Sequence, residues 1–315
     1  MAARGPLVVS AVVAMSLLVA GCGEDDEDPG SAGTSAGSGS SQAAGEVAHS
    51  AEPVDIGGRE LYLECWGEPV ADEPTVLLIS GSGPTTSYWG AMATDFAADG
   101  HHLCGYDRAG VGGSDFAPEL RRTTQDLVTD LVALLDAAEL QEPVVVVAHS
   151  LGSLPAVGLV DRVPERVAGV VLVDPVSPRI GAVQEAALPP TKRNESPDVT
   201  DERLFLTDFR YDPSQNPEHL VVAASEAEAA RLLDEPGPVF GDLPVVVLQA
   251  PLPELLSGLP RGYVATAHAA IADGNKELAA ESTRGTVVRV EDTGHNIHED
   301  QPRVVIAAIR DVMGE

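Results

Sequence analysis

The sequence predicts an α/β fold in which a mostly parallel sheet is covered by helices on both faces. Short apolar runs alternate along the chain with segments of helical periodicity, and most of these runs are continuously hydrophobic. Continuous runs are typical of strands that are buried on both faces, as in a parallel sheet between two helical layers. With 315 residues, of which 44% are hydrophobic, the chain can bury a large core.

The folded part is expected to begin with a hairpin over residues 52–67, EPVDIGGRELYLECWG, in which Gly57 and Gly58 form the two-residue turn. Further strands are predicted, in chain order, at 75–80, 102–107, 143–150, 167–175, 243–249 and 286–292. Helices are predicted near 88–98, at 121–140, directly after 150, near 263–282 and at 302–315. With the hairpin counted as two strands, the sheet has eight.

The alternation of strands and helices is interrupted between about 176 and 242, where several prolines occur. We expect this stretch to be an insertion between two strands, lying over the strand ends as a cap.

The charge of the chain argues against nucleic acid as a partner. The 19 lysines and arginines are outnumbered by 49 aspartates and glutamates, which gives a formal net charge of −30. Nucleic-acid binding needs cations that neutralise phosphates. So acidic a surface also favours solubility and discourages direct contact with anionic membranes.

Residues 1–22, MAARGPLVVSAVVAMSLLVAGC, have the organisation of an export signal. Arg4 supplies a positive charge, and the apolar run over 6–20 is short for a spanning helix, which needs roughly 20 residues. The stretch LVAGC resembles the bacterial lipobox, which implies that Cys22 is lipid-modified and becomes the new N-terminus. The alternative is an ordinary signal peptide followed by an unmodified cysteine. The lipobox predicts a protein anchored by lipid to the outer face of the bacterial cell membrane.

A tether is expected between this anchor and the folded domain. Residues 23–46 contain no aromatic side chain and almost no bulky aliphatic one, so they cannot offset the entropy cost of ordering. The predicted organisation is therefore a signal peptide at 1–22, a Gly/Ser-rich acidic tether at 23–51 and one domain at 52–315.

A single hydroxyl group ends the apolar run VVVVAHSLG at 144–152, and the pattern predicts a nucleophile elbow at Ser150. In an elbow, a strand turns sharply into a helix and the hydroxyl projects outward. The positions two before and two after must be small, and they are Ala148 and Gly152. The helix N-terminus also favours an oxyanion beside the serine.

Four segments together resemble the α/β-hydrolase superfamily: TVLLISGSGP (75–84), GYDRAGVGGSD (105–115), VVVVAHSLG and DTGHNIHEDQP (292–302). The resemblance spans residues 52–315 and implies the α/β-hydrolase fold. The chain departs from the family pattern at Ala148, and at Ser80-Gly81 where His-Gly is usual. The family order of nucleophile, acid and histidine implies that His295 is the general base.

Two positions compete for the acid, which orients the histidine and stabilises its charged form. The usual place is the loop after the strand at 243–249, where Glu254 is near but displaced. Some family members place the acid at the end of the preceding strand, where Asp174 stands. Asp174 is preferred, although an aspartate also occurs there in members that do not use it.

The resemblance implies two further features. The oxyanion hole would consist of the backbone N–H groups of Leu151 and Ser82. The second and fourth strands are neighbours in the family, so Cys65 and Cys104 are expected to form a disulfide, which would persist in an exported protein. Two buried free thiols are the alternative.

The remaining histidines carry no motif. His149 next to the serine is interpreted as a packing residue. His298 with His295 and Glu299 suggests a metal site, but the order H-x-x-H-E does not match the zinc-binding helix motifs. No metal and no other cofactor is expected.

The sequence therefore predicts a monomeric serine hydrolase that acts on a small ester or related acyl substrate through an acyl-enzyme. It would contact the membrane only through its lipid anchor. Two alternatives remain open: a peptidase of the prolyl-iminopeptidase kind, and a non-catalytic surface binding protein built on a hydrolase scaffold.

Overall fold

The computed structural model describes residues 47–138, 140, 143–251, 256 and 258–315. These residues contain an eight-stranded sheet with the strand order β1-β2-β4-β3-β5-β6-β7-β8. The strands are β1 (His49–Asp55), β2 (Glu60–Trp66), β3 (Val76–Ile79), β4 (Leu103–Tyr106), β5 (Val144–His149), β6 (Val167–Val173), β7 (Gly241–Gln249) and β8 (Ser282–Arg289). The pairs β1–β2 and β2–β4 are antiparallel, and the other neighbouring pairs are parallel. The predicted fold class is thereby confirmed.

Helices cover both faces of the sheet. The helices of the described residues are α1 (Gly90–Ala98), α2 (Thr124–Ala137), α3 (Ser153–Arg162), α4 (Ile180–Ala187), α5 (Pro197–Leu204), α6 (Val222–Leu233), α7 (Arg261–Ala280), α8 (Ile297–Asp300) and α9 (Pro302–Met313). Residues of α1, α2, α3, α7 and α9 pack against the sheet. In β5, Val144 and Val146 pack into the apolar cluster with α2, α3 and α7, whereas Val145 and Val147 join α1 and α9. Successive side chains of a strand point to opposite faces, which explains why the central strands are continuously hydrophobic.

The hairpin turns at the predicted glycines. Gly57 and Gly58 have φ angles of 103° and 104°, which glycine adopts without strain. Their N–H groups both donate to Asp55 Oδ1 at 2.8 Å. Strand β1 begins at His49, three residues before the expected start of the domain at residue 52.

The second and fourth strands place the two cysteines directly opposite each other. Cys65 and Cys104 are partners in the antiparallel register, with 4.1 Å between their Cα atoms, and they form a disulfide. The expected bridge is therefore present, and it ties β2 to the parallel part of the sheet.

The insertion between β6 and β7 holds α4, α5 and α6. Helix α6 packs on α2 and α3 through a cluster that includes Leu127, Leu154 and Val222. A short parallel bridge between Arg122 and Leu220 attaches the insertion to the segment before α2. Within the described part of the chain, no helix combines the length and the apolar composition needed to cross a bilayer.

Candidate active site

Ser150 lies at a sharp turn between β5 and α3, as the elbow pattern requires. Its φ angle of 51° falls in the left-handed region, which non-glycine residues rarely adopt. A Cβ atom added at Gly152 would lie 2.6 Å from the carbonyl oxygen of Ile79 and 2.7 Å from that of Ser80. The turn can therefore approach β3 only because residue 152 is a glycine.

Three side chains from distant parts of the chain form a continuous set of contacts. His295 Nε2 lies 2.9 Å from Ser150 Oγ, and His295 Nδ1 lies 2.6 Å from Asp174 Oδ2. The other carboxylate oxygen, Asp174 Oδ1, accepts the backbone N–H of Ala250 at 3.0 Å. The carboxylate is thus held on both sides and directed at the imidazole. Glu254, the alternative acid, lies outside the described residues.

The loop after β3 packs directly against the serine. A Cβ atom added at Gly81 would lie 3.1 Å from Ser150 Cβ and 2.9 Å from His149 Nδ1. Ser82 follows Gly81 in this loop and is exposed. Leu151 is the second residue of the 3-10 turn Ser150–Gly152, where N–H groups have no partner within the helix. Leu151 is therefore adjacent to Ser150, and Ser82 follows the glycine that packs against the serine.

The family model of the alpha/beta hydrolase family matches residues 76–308, most of the folded domain. The chain belongs to the alpha/beta hydrolase family.

Two bacterial proteins illustrate what the chain is similar to in sequence. A putative carbamate hydrolase, RutD, of Variovorax paradoxus is 35% identical over 114 residues, which span 36% of this chain and 42% of that protein. The uncharacterised protein YqjL of Bacillus subtilis is 24% identical over 241 residues, 76% of this chain and 83% of that protein.

Solved hydrolases share the fold at low sequence identity. A 2-hydroxy-6-oxo-6-phenylhexa-2,4-dienoate hydrolase from Rhodococcus has a TM-score of 0.59 at 16% identity, covering 86% of this chain and 100% of that one. A thermophilic esterase from Thermogutta terrifontis has a TM-score of 0.56 at 22% identity, covering 83% and 97%. Membership of this family identifies an enzyme of the hydrolase class.

Arg108 of this hydrolase is a functional candidate to which the sequence gave no role, although it lies in the segment GYDRAGVGGSD. Its guanidinium is buried, donates to the backbone carbonyls of Ser80 and Gly81, and pairs with Glu218. The signal in the sequence was an arginine that follows the strand predicted at 102–107, because a guanidinium buried there requires hydrogen-bond acceptors.

His149 does more than fill space. Its Nε2–H donates to the backbone carbonyl of His295 at 3.1 Å, and the two ring centroids are 4.6 Å apart. Burial lowers the pKa of His149 well below its usual value, with the nearby His295 and His298 adding to the effect. His149 is therefore neutral at pH 7 and holds the backbone of His295 in place.

His298 packs between two aromatic rings, with its centroid 4.6 Å from that of Tyr88 and 4.3 Å from that of Trp89. Burial, with His295 as the next contribution, lowers the pKa of His298 to about 4. Its ring nitrogens have no hydrogen-bond partner among the described residues. A neutral, enclosed imidazole of this kind belongs to the packing beneath His295.

Among the described residues, two groups bring potential metal ligands close together. One consists of Cys65, His102 and Cys104, in which the two cysteine sulfurs are already joined in the disulfide. The other is Glu73, His101 and Glu315, in which His101 Nδ1 lies 2.6 Å from a Glu73 oxygen. Neither group contains a residue of the Ser150–His295–Asp174 set.

A separate groove of about 1060 Å³ lies in the insertion between α4 and α6, with alanines on both walls. The described residues that line it do not include Ser150, His295 or Asp174. The contacts among these three side chains, and not the groove, therefore define the candidate active site.

Proposed function

We propose that the protein is a serine hydrolase that cleaves an ester or a related acyl substrate through an acyl-enzyme. The contact chain from Ser150 Oγ through His295 to Asp174 carries this proposal. A hydroxyl group is a weak nucleophile at neutral pH, and a hydrogen-bonded imidazole that is itself oriented by a carboxylate activates it.

In the proposed first step, Ser150 Oγ attacks the substrate carbonyl carbon while its proton moves to His295 Nε2. The carbonyl oxygen becomes an oxyanion that accepts hydrogen bonds from the backbone N–H groups of Leu151 and Ser82. The tetrahedral intermediate then expels the leaving group, which takes the proton from His295. Water then attacks the carbonyl carbon of the acyl-enzyme while its proton moves to His295 Nε2. The second tetrahedral intermediate releases the acid, and the proton returns to Ser150 Oγ.

The surroundings of His295 favour this proton transfer. The imidazolium that forms would face the Asp174 carboxylate at 2.6 Å. Burial lowers the pKa values of His149 and His298, so the two neighbouring rings stay neutral at pH 7 and do not repel the new charge. A single charge thus develops where one opposite charge is already oriented.

The substrate class is proposed from the chemistry shared with the named relatives. A carbamate and a carboxylic ester both present a carbonyl carbon bonded to a leaving heteroatom, which a serine can attack. The relatives that suggest this chemistry include a putative carbamate hydrolase and an esterase.

The proposal is tested with a fluorophosphonate probe and a panel of p-nitrophenyl esters, carbamates, amides and N-terminal prolyl substrates. We expect labelling and ester turnover in the parent protein, and loss of both in Ser150→Ala. Ser87→Ala is the matched control, since Ser87 is an exposed serine in a neighbouring segment. Folded protein that neither reacts with the probe nor turns over any ester would refute the proposal, and turnover confined to prolyl substrates would favour the peptidase.

We also propose that Cys22 anchors the enzyme to the outer face of the bacterial cell membrane. Support comes from the lipobox-like stretch LVAGC and from the disulfide, which is typical of oxidising compartments. Residues 1–46 lie outside the described part of the chain. Expression with a labelled fatty acid in a bacterial host should label the parent protein but not Cys22→Ser, and equal labelling of both would exclude this anchor.

A further inference from the structure

We propose that the buried pair Arg108–Glu218 couples the cap to the oxyanion loop and positions the N–H group of Ser82. This inference rests on the proposed acyl-enzyme function and extends it, because it makes a residue of the cap a positioning residue for catalysis.

Arg108 is bonded on two sides. Towards the cap, its Nε and Nη2 atoms donate to the two carboxylate oxygens of Glu218 at 2.6 Å and 2.8 Å. Towards the oxyanion loop, its Nη1 and Nη2 atoms donate to the carbonyl oxygens of Ser80 and Gly81. The side chains of Arg108 and Glu218 are only 4% and 1% exposed, so both charges depend on these partners.

The bond to Gly81 controls the direction of a catalytic N–H group. The carbonyl of Gly81 and the N–H of Ser82 belong to the same planar peptide unit, in which a trans bond points them in opposite directions. By holding the carbonyl of Gly81, Arg108 fixes the plane in which the N–H of Ser82 points away from the guanidinium. The neighbouring bond to Ser80 prevents the loop from pivoting about a single contact.

Glu218 is presented by a turn that the core holds firmly. Asn216 closes the turn, with its Oδ1 accepting from Leu220 N–H at 2.8 Å and its Nδ2 donating to the Leu220 carbonyl at 2.9 Å. The backbone N–H of Arg122 donates to the carbonyl of His219, and the backbone carbonyl of Arg122 accepts from the N–H of Val221. Because this turn is constrained, the Glu218 carboxylate can hold the Arg108 guanidinium in one orientation, and the guanidinium can in turn position the peptide unit between Gly81 and Ser82.

The contact with Glu218 also keeps the Arg108 side chain charged. Burial acts to lower the pKa of Arg108, but the adjacent Glu218 carboxylate outweighs it and the pKa is raised. Arg108 therefore remains a cation, and its charge-assisted bonds to the two carbonyls are stronger than neutral ones. Removing the negative charge of Glu218 would leave the guanidinium uncompensated and free to reorient.

The test compares Glu218→Gln with Glu226→Gln. Glu226 forms a second buried pair in the insertion, with Arg210 at 2.5 Å, and among the described residues its side-chain hydrogen bonds go to Arg210 and not to the oxyanion loop. Both substitutions remove one buried negative charge with almost no change in shape. Steady-state ester kinetics and the affinity for a boronic acid, which mimics the tetrahedral oxyanion, are measured below the melting temperature of each variant.

We expect Glu218→Gln to lower kcat by about ten- to a hundredfold with KM changed less than about threefold, because only transition-state binding is affected. Boronic acid affinity should fall in parallel with kcat/KM, and Glu226→Gln should change neither quantity. Arg108→Lys, which keeps the charge but loses the planar fork, should resemble Glu218→Gln and serves if that variant does not fold.

The inference is overturned if Glu218→Gln keeps the affinity of the parent for the boronic acid. It is also overturned if Glu226→Gln loses as much kcat and boronic acid affinity as Glu218→Gln. Its failure is distinguishable from failure of the proposed function. Active parent protein with unaffected positioning variants refutes only the inference, whereas parent protein without Ser150-dependent turnover refutes the proposed function.

Discussion

Replacing Asp174 by Asn tests the proposed acid most sharply, because the structure predicts how the new amide would be oriented. Asp174 Oδ1 accepts the N–H of Ala250 at 3.0 Å, and Oδ2 faces His295 Nδ1 at 2.6 Å. In Asp174→Asn the amide oxygen keeps the bond from Ala250, so the NH₂ group turns towards Nδ1. A donor at that position forces the imidazole proton onto Nε2, the atom that must accept the proton of Ser150.

The size of the effect follows from the same geometry. Two unit charges about 3 Å apart interact by roughly 5 kcal/mol at an effective dielectric constant of about 20. The His295 side chain is 41% exposed, and water screens part of this interaction. We therefore expect kcat to fall by about 10³-fold, which corresponds to roughly 4 kcal/mol.

The assay is p-nitrophenyl ester hydrolysis by Asp174→Asn and Glu254→Gln, with thermal melting curves to show that both variants fold. Asp174→Asn should be nearly inactive and Glu254→Gln close to the parent. Turnover by Asp174→Asn within tenfold of the parent, together with an inactive Glu254→Gln, would show that the acid has been assigned to the wrong carboxylate.

Three further outcomes are expected. Cys65→Ser with Cys104→Ser should lower the free energy of unfolding by roughly 3–4 kcal/mol in urea titrations under oxidising conditions, because the bridge closes a loop of 39 residues; equal stability with and without reductant in the parent would contradict this. Gly152→Ala should abolish turnover, since its Cβ would lie 2.6 Å from a carbonyl oxygen of β3, whereas Gly90→Ala, with open space around the added atom, should not. The parent should lose stability as the pH falls from about 6.5 to 4, because the pKa of His298 is lowered to about 4 in the folded state and the unfolded chain binds its proton first. His298→Asn should remove on the order of 2–3 kcal/mol of that loss between pH 7 and 4.5, and parallel pH profiles of the two proteins would refute this assignment.

The sequence favoured Asp174 over Glu254 as the acid but left both open, because the choice depends on distances between residues that are far apart in the chain. Asp174 and His295 are separated by 121 positions, yet their side chains touch. The parallel register of β6 and β7 brings the loop after β7, with Ala250, beside Asp174. Only this packing orients the carboxylate towards the imidazole.

The interpretation of His149 as a packing residue was incomplete for the same reason. Its neighbour Ser150 is adjacent in sequence, but its hydrogen-bond acceptor is the backbone of His295, 146 residues away. The pair Arg108–Glu218 likewise joins positions 110 residues apart. No local sequence pattern predicts either of these two contacts.

The amino-acid sequence by itself determined the strands and the sharp turn at Ser150, since apolar runs and small residues act through neighbours a few positions away. The tertiary structure alone decided which carboxylate meets His295 and which residue of the insertion pairs with Arg108. Those contacts form only where the ends of separate strands converge at one edge of the sheet, and the register of the strands, not the spacing of residues, sets that convergence.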